Sequence, residues 1–377
     1  MNCCIECFCD AHIRAAVENW GKMGDCDFCA SKNAAVYGLG ATPNPIAEMI
    51  IGLVQTYSVS DSEDAKPLKI ALCDDWDIFN AEPELILTLV KKLCESAYAD
   101  GDDIFTKHVF IPQLADRDFL REYGVVRGYS WGEFSNSIKY GNRFHSGMFN
   151  ASVFASFLSI VTKMYPARSR LYRARISADR GGFSKDDMGA PSRDKRSAGR
   201  INPEGIGVLY LSSDVKTVLN EVRASVFDYV TIGTFQNTRD IRVVNLSGVA
   251  QTSPFLYEGE LEQFAANRKV FQEIAAEIAK PLRRSDSPLE YLSTQYITEF
   301  IKSENYDGVE YASTLKQGGN NVAVFDETLF DCVDTQTVEV SKIFYATNPP
   351  LADGSVAADG AGESPQAAPP LWPETAP

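Results

Sequence analysis

Leu171-Tyr172-Arg173-Ala174-Arg175, Gly199-Arg200-Ile201-Asn202-Pro203, Leu209-Tyr210-Leu211-Ser212 and Asn220-Glu221-Val222-Arg223-Ala224-Ser225 follow one another in the second half of this chain. Tyr311-Ala312-Ser313-Thr314 and Gly318-Gly319-Asn320-Asn321 come far downstream. The stretch around the first motifs carries an unusual charge. Lys163–Arg200 holds eleven Lys/Arg against four acids, in a chain of 377 residues whose formal net charge is −15. Arginine dominates it, and a planar guanidinium fork suits phosphate oxygens. Gly181, Gly182, Gly189 and Gly199 would let the backbone approach a ligand closely. The composition fits a pyrophosphate site. Arg173 and Arg200 each adjoin a short apolar run that places them on a scaffold, so we read them as functional. Arg180–Arg196 reads instead as a solvated basic loop.

Working outward, short β-prone runs occur at Val208–Leu211, Tyr229–Thr234, Ile241–Asn245, Gly308–Tyr311 and Val322–Phe325. Helices are expected between them: one after Ser213, one over about Leu261–Lys280 stopped by Pro281, and one opened by a capping box at Ser287-Pro288-Leu289-Glu290 and reaching about Ser303. Strands and helices interleave without the regular alternation of a doubly wound sheet, which points to an α+β fold. On the helix after Ser213, Val215, Val218, Leu219 and Val222 form the buried face at about 100° per residue. Glu221 lies on the flank of that face. A carboxylate there can line a cleft, and it can equally be a surface glutamate paired with a lysine.

The first half reads differently. Cys4-x2-Cys7 and Cys26-x2-Cys29 are separated by eighteen residues, a four-thiolate zinc spacing. Residues 1–38 are therefore expected to be a segment stapled by structural zinc on Cys4, Cys7, Cys26 and Cys29. Cys3 and Cys9 are extra, and either could replace a neighbour as ligand. Ile13, Ala16, Val17 and Trp20 repeat at helical spacing and predict a helix packed over the metal. Residues 39–160 read as a mostly helical domain, with starts at Asn44-Pro45 and Pro83, a helix at Trp131, Phe134 and Ile138, and another over Ala151–Lys163. Residues 346–377 are Pro, Ala, Gly and acid, the composition of a disordered tail.

Bulk properties exclude other classes. The acidic balance disfavours DNA or an anionic membrane as the main partner. No basic stretch leads into an apolar run, and no apolar run approaches a membrane span, so a cytoplasmic protein is expected. Nine cysteines then suggest thiols and metal in place of disulfides. Only His12, His108 and His145 are available for histidine chemistry, and all three read as structural. Gly38-x-Gly40 lacks the third glycine and following helix of a dinucleotide fingerprint.

In their order, the motifs quoted first resemble the RES domain of bacterial toxins, named for an Arg, a Glu and a Ser spread along the fold. The resemblance covers roughly residues 166–332. It implies an ADP-ribosyltransferase-like α+β catalytic domain over 161–345 that takes NAD⁺ as substrate. By that resemblance Arg173, Glu221 and Ser313 are catalytic: Glu221 is the carboxylate, and Ser313 bonds the nicotinamide or its ribose. Tyr172 and Tyr210 would wall the nicotinamide or ribose pocket, and Arg173 and Arg200 would bind phosphates. Asn202 and Asn321 would support them. The activity implied is NAD⁺ phosphorolysis or hydrolysis by a toxin of a toxin–antitoxin or anti-phage system. A protein ADP-ribosyltransferase and a non-catalytic zinc-dependent binding module are the other readings. Expected partners are NAD⁺, inorganic phosphate, an antitoxin and a second copy of the chain. The first half resembles the HEPN-like region of some RES proteins, but Arg143 and His145 stand too close for a HEPN nuclease pair, so no nuclease is expected.

Overall fold

The structure, a computed structural model, describes residues 1–192, 194, 196–281 and 286–343. The tail expected over 346–377 lies outside the described residues. Met1–Ser341 form one compact unit.

The opening segment folds as a three-stranded antiparallel sheet, with Ala34–Gly38 between Asn2–Cys4 and Lys22–Gly24. Helix α1 (Ala11–Trp20) packs on it, capped by Asp10, whose carboxylate accepts from the Ile13 amide at 2.8 Å. It buries Ile13 and Val17, whereas Trp20 is 57% exposed and does not cover the cysteines. The expected helix starts at Asn44-Pro45 and Pro83 become α2 (Pro45–Gln55) and α4 (Pro83–Leu93), each with proline in its first turn. Between them lies α3 (Leu68–Trp76). Then come α5 (Trp131–Tyr140) and α6 (Ala151–Ile160). The last helix ends earlier than the expected Lys163, because Thr162–Tyr165 turns into a strand.

The second half is built on an eight-stranded sheet. In chain order its strands are β1 (Thr162–Tyr165), β2 (Arg170–Ser177), β3 (Leu209–Ser212), β4 (Tyr229–Asn237), β5 (Ile241–Asn245), β6 (Gly308–Ala312), β7 (Asn320–Val324) and β8 (Phe330–Glu339). Their spatial order is β8-β4-β2-β3-β7-β6-β5-β1, with β5 and β6 parallel and every other neighbour antiparallel. Helices α7 (Val215–Glu221), α8 (Leu261–Ala279) and α9 (Leu292–Ser303) complete this half. The mixed sheet and helices bear out the α+β expectation. The capping box at Ser287 does not form. The Ser287 hydroxyl accepts from the Leu289 amide, and Pro288–Tyr291 is a 3₁₀ turn leading into α9.

The basic loop is a correction. Residues following β2 lie across the β2–β4–β8 face and are not solvated throughout. Met188 is fully buried there, the Phe183 amide donates to Thr231 Oγ1 at 3.0 Å, and the Arg175 guanidinium stacks 4.2 Å from the Phe183 ring centroid. Gly182 has φ +66° and no room for a Cβ against Thr231 and Thr337. Glu327 accepts from the Ala190 amide at 2.9 Å and from Arg196 at 3.1 Å.

Residues 39–160 and 161–345, expected as separate domains, pack around one core. Phe154 stacks on Phe271 at 5.1 Å and meets Phe300 at 5.7 Å, while Phe134 meets Tyr296 at 5.6 Å. Asn267, fully buried on α8, accepts from the Val125 amide at 2.6 Å and donates to the Tyr123 carbonyl at 2.8 Å. Arg268 reaches the carbonyls of Asp74 and Asp75. The cysteine segment joins the same body, with the Asn80 amide donating to the Cys7 carbonyl at 2.9 Å. A buried aromatic contributes about 2 kcal/mol or more, so removing the first half strips several such residues from α8 and α9 at once. We predict that residues 161–345 expressed alone are insoluble or melt without a cooperative transition. A soluble fragment with a sharp thermal transition in circular dichroism would contradict the shared core.

Candidate active site

β2 pairs with β4 through eight residue pairs, from Tyr229↔Ser177 to Gln236↔Arg170, but touches β3 only at Tyr172↔Ser212. Strands held at one point diverge on either side of it, so the sheet opens there. A cavity of roughly 320 Å³ lies at this opening. β2 gives it Arg173 and Ala174; β3 gives Tyr210, Leu211 and Ser212; β6 and β7 give Tyr311 and Asn321. Helix α7 contributes Val218 and Glu221, and the end of α8 contributes Ile278 and Ala279, followed by Lys280 and Pro281.

Glu221 is the last residue of α7. The helix is capped by Asp214, not by Ser213; its carboxylate accepts from the Thr217 amide at 3.0 Å and hydroxyl at 2.6 Å and pairs with Lys316 at 3.1 Å. Glu221 Oε1 accepts from Ser313 Oγ at 2.7 Å and from Asn321 Nδ2 at 2.8 Å. Each donor is itself oriented. Ser313 Oγ accepts from the Leu315 and Lys316 amides, both at 3.2 Å, so its single proton is left for Glu221. Asn321 Oδ1 accepts from Ser212 Oγ at 2.7 Å, which turns its amide nitrogen toward the glutamate. Gly319, whose carbonyl accepts from the Ser313 amide, lies against Thr217 with no room for a Cβ. Oε2 has no hydrogen-bond partner among the described residues. One carboxylate oxygen is held, and the other is free for whatever enters the cavity.

The two arginines divide. Arg173 donates through Nη1 to the Tyr210 carbonyl at 3.2 Å, and its Nε is buried with no partner. Among the described residues it has no carboxylate partner. Burial, and then the neighbouring Arg175, push its pKa below the usual arginine value. Arg200 lines the cavity but is fully engaged. Nε donates to the Lys280 carbonyl at 3.0 Å, Nη1 to Glu277 at 3.1 Å and Nη2 to Asp286 at 3.1 Å, and the guanidinium lies 5.1 Å from the Tyr291 ring centroid. The sequence reading made it a phosphate ligand. In the fold it ties the end of α8 to the Gly199–Ile206 loop. Removing one member of such a buried set leaves charge uncompensated and typically costs about 3 kcal/mol or more.

That loop is bolted down further. Gln295 donates to the Gly199 and Asn202 carbonyls at 2.8 and 3.1 Å, and Thr298 to the Ile201 carbonyl at 2.9 Å. Asn202 does not reach the cavity. Its amide nitrogen bonds the Ser197, Pro203 and Ile206 carbonyls, and its Oδ1 accepts from the Tyr210 hydroxyl at 2.7 Å. Tyr172 does not line the cavity either, and packs against the cluster of Ala174, Val218, Val230 and Ile232. Of the residues singled out in the sequence, Arg173, Arg200, Tyr210, Glu221 and Asn321 converge on the cavity, with Ser313 directly behind Glu221. Ser212, Tyr311 and the end of α8 were missed as site residues. Tyr311 stood within a quoted motif, two residues before Ser313, and strand alternation puts it on the face of its partner Asn321.

The four cysteines also converge. The sulfurs of Cys4, Cys7, Cys26 and Cys29 all lie within 4.8 Å of one another. Cys4–Cys7 is 3.9 Å, Cys7–Cys26 3.6 Å and Cys4–Cys29 3.2 Å. Zinc–thiolate bonds of about 2.3 Å in a tetrahedron place sulfurs about 3.8 Å apart, so the donor set fits zinc. The Phe28 and Cys29 amides approach Cys26 Sγ at 3.4 and 3.5 Å. Cys3 is buried away from the cluster, its thiol toward the Tyr37 carbonyl, and Cys9 bonds the Asp77 carbonyl.

Comparison with known proteins places this site in context. Residues 170–343, a little under half the chain, match the family model of the RES domain. That stretch contains β2 to β8, α7 to α9 and every cavity residue named above. Among solved structures, the MbcT–MbcA toxin–antitoxin complex of M. tuberculosis is similar at 11% sequence identity, covering 49% of this chain and 92% of that one, with a TM-score of 0.29. No curated protein matches the chain.

Proposed function

We propose that this protein consumes NAD⁺ by cleaving the bond between nicotinamide and ribose, as the toxin of a toxin–antitoxin or anti-phage system. One arrangement carries the reading: a glutamate fixed through one oxygen, facing a cavity that also holds an arginine with no carboxylate partner among the described residues, inside a stretch that matches the RES domain. In NAD⁺ the nicotinamide ring is cationic. When the C1′–N bond breaks, its electron pair stays on nitrogen, nicotinamide leaves neutral, and positive charge builds on the ribose. Glu221 Oε2 is free to stabilise that charge and to orient the ribose hydroxyls, while Ser313 and Asn321 stop the carboxylate from swinging. Arg173 would hold the pyrophosphate, which presents the sugar in one geometry. Water or inorganic phosphate would then form the new C1′–O bond. Arg200 would act on the site through the loop and the end of α8 that it joins.

The toxin role, and an antitoxin as partner, rest on the RES match. Among the described residues no helix is long and apolar enough to cross a membrane. The cysteine cluster would hold one structural zinc through Cys4, Cys7, Cys26 and Cys29, stapling a segment too small to fold alone.

Glu221→Gln keeps the shape and removes the charge. It should leave the thermal unfolding midpoint near wild type and slow NAD⁺ loss about a hundredfold or more. Wild-type turnover by the Gln variant would take Glu221 out of the mechanism. For the metal, elemental analysis of protein purified without added metal should find about one zinc per chain. Metal-free, folded protein with Cys4 and Cys7 open to thiol reagents would refute the site.

A further inference from the structure

Two tyrosines line the cavity, and their hydroxyls have different fates. Tyr210 donates its proton to Asn202 Oδ1 at 2.7 Å, so its phenol is committed to the loop behind the wall. The Tyr311 hydroxyl has no hydrogen-bond partner among the described residues. Yet Tyr311 sits on β6 directly opposite Asn321 on β7, and Asn321 donates to Glu221 at 2.8 Å. Tyr311 is partly accessible and lines the cavity. A phenol at a cavity wall that no protein group satisfies leaves a donor for a ligand.

We propose that Tyr311 is a substrate-binding residue whose hydroxyl donates a hydrogen bond to an oxygen on the nicotinamide–ribose half of NAD⁺. This rests on the NAD⁺ reading above and goes beyond it by placing the two ends of the substrate. Glu221 and Tyr311 define the end where the bond breaks, and Arg173 defines the phosphate end. Burial, and then the neighbouring Tyr210 and Glu221, keep the Tyr311 phenol well above the ordinary tyrosine value, so it remains a donor. Its ring would also screen the reacting carbon from bulk water, a role that phenylalanine would keep.

The test is Tyr311→Phe in the full chain, read in three ways. The unfolding midpoint should match wild type, because the hydroxyl bonds no described residue. The kcat/KM for NAD⁺ should fall about tenfold, the worth of one hydrogen bond of about 1.4 kcal/mol. The inhibition constant of ADP, which carries the pyrophosphate but no nicotinamide ribose, should be unchanged. Unaltered kcat/KM beside an active wild type would overturn the proposal and leave the NAD⁺ reading standing. So would a lowered midpoint, which would make the hydroxyl structural, or an equal loss of ADP binding, which would move it to the phosphate end. An inactive wild type would overturn the NAD⁺ reading and this proposal together.

Discussion

Helices α8 and α9 must serve two masters, and the rest of the molecule depends on that constraint. One side of α8 meets the first half through Phe264, Phe271, Asn267 and Arg268, and its end forms a wall of the cavity. A buried asparagine such as Asn267 is tolerable only because its acceptor is satisfied by the Val125 amide, 142 residues away, and its donors by the Tyr123 and Gln263 carbonyls. The site therefore inherits its rigidity from a core that residues 161–345 do not complete by themselves. Arg200 is the link, since it joins the carbonyl at the end of α8 to the loop that α9 holds in place.

The sequence revealed what is local and concealed what is distant. Proline at a helix start and the paired Cys-x2-Cys motifs act over a few residues, and α2, α4 and the cysteine cluster stand where their signals lie. The five β-prone runs became β3 to β7 because their apolar residues face a buried side of the sheet. β8 was missed because Phe330–Glu339 is an edge strand whose Asp331, Asp334, Thr335 and Thr337 blur the alternation. β2 was quoted only for its arginines, which interrupt its apolar pattern. The single core was invisible because the aromatic residues of α5 and α6 find their partners more than a hundred positions away.

The same limit governed the site. Spacing and resemblance singled out Arg173, Tyr210, Glu221, Ser313 and Asn321, which the fold brings together at and directly behind the cavity wall. They could not assign the guanidinium of Arg200, whose partners Glu277 and Asp286 carry no local mark of that duty. Nor could they separate a tyrosine whose hydroxyl is used by the fold from one whose hydroxyl has no partner among the described residues. What emerges is an allocation of hydrogen-bonding capacity. Ser313, Asn321, Ser212 and Asn202 are spent on holding the frame, while Glu221 Oε2, Arg173 and Tyr311 keep capacity for a ligand.

The central claim is that this capacity is matched to NAD⁺ and its scission at the nicotinamide–ribose bond. The most direct measurement follows the purified full chain with NAD⁺ by proton NMR, with and without inorganic phosphate. Free nicotinamide should appear in step with one ADP-ribosyl product, which is ADP-ribose if water attacks and ADP-ribose-1-phosphate if phosphate does. Intact NAD⁺ after prolonged incubation with the folded protein, in both buffers, would contradict it.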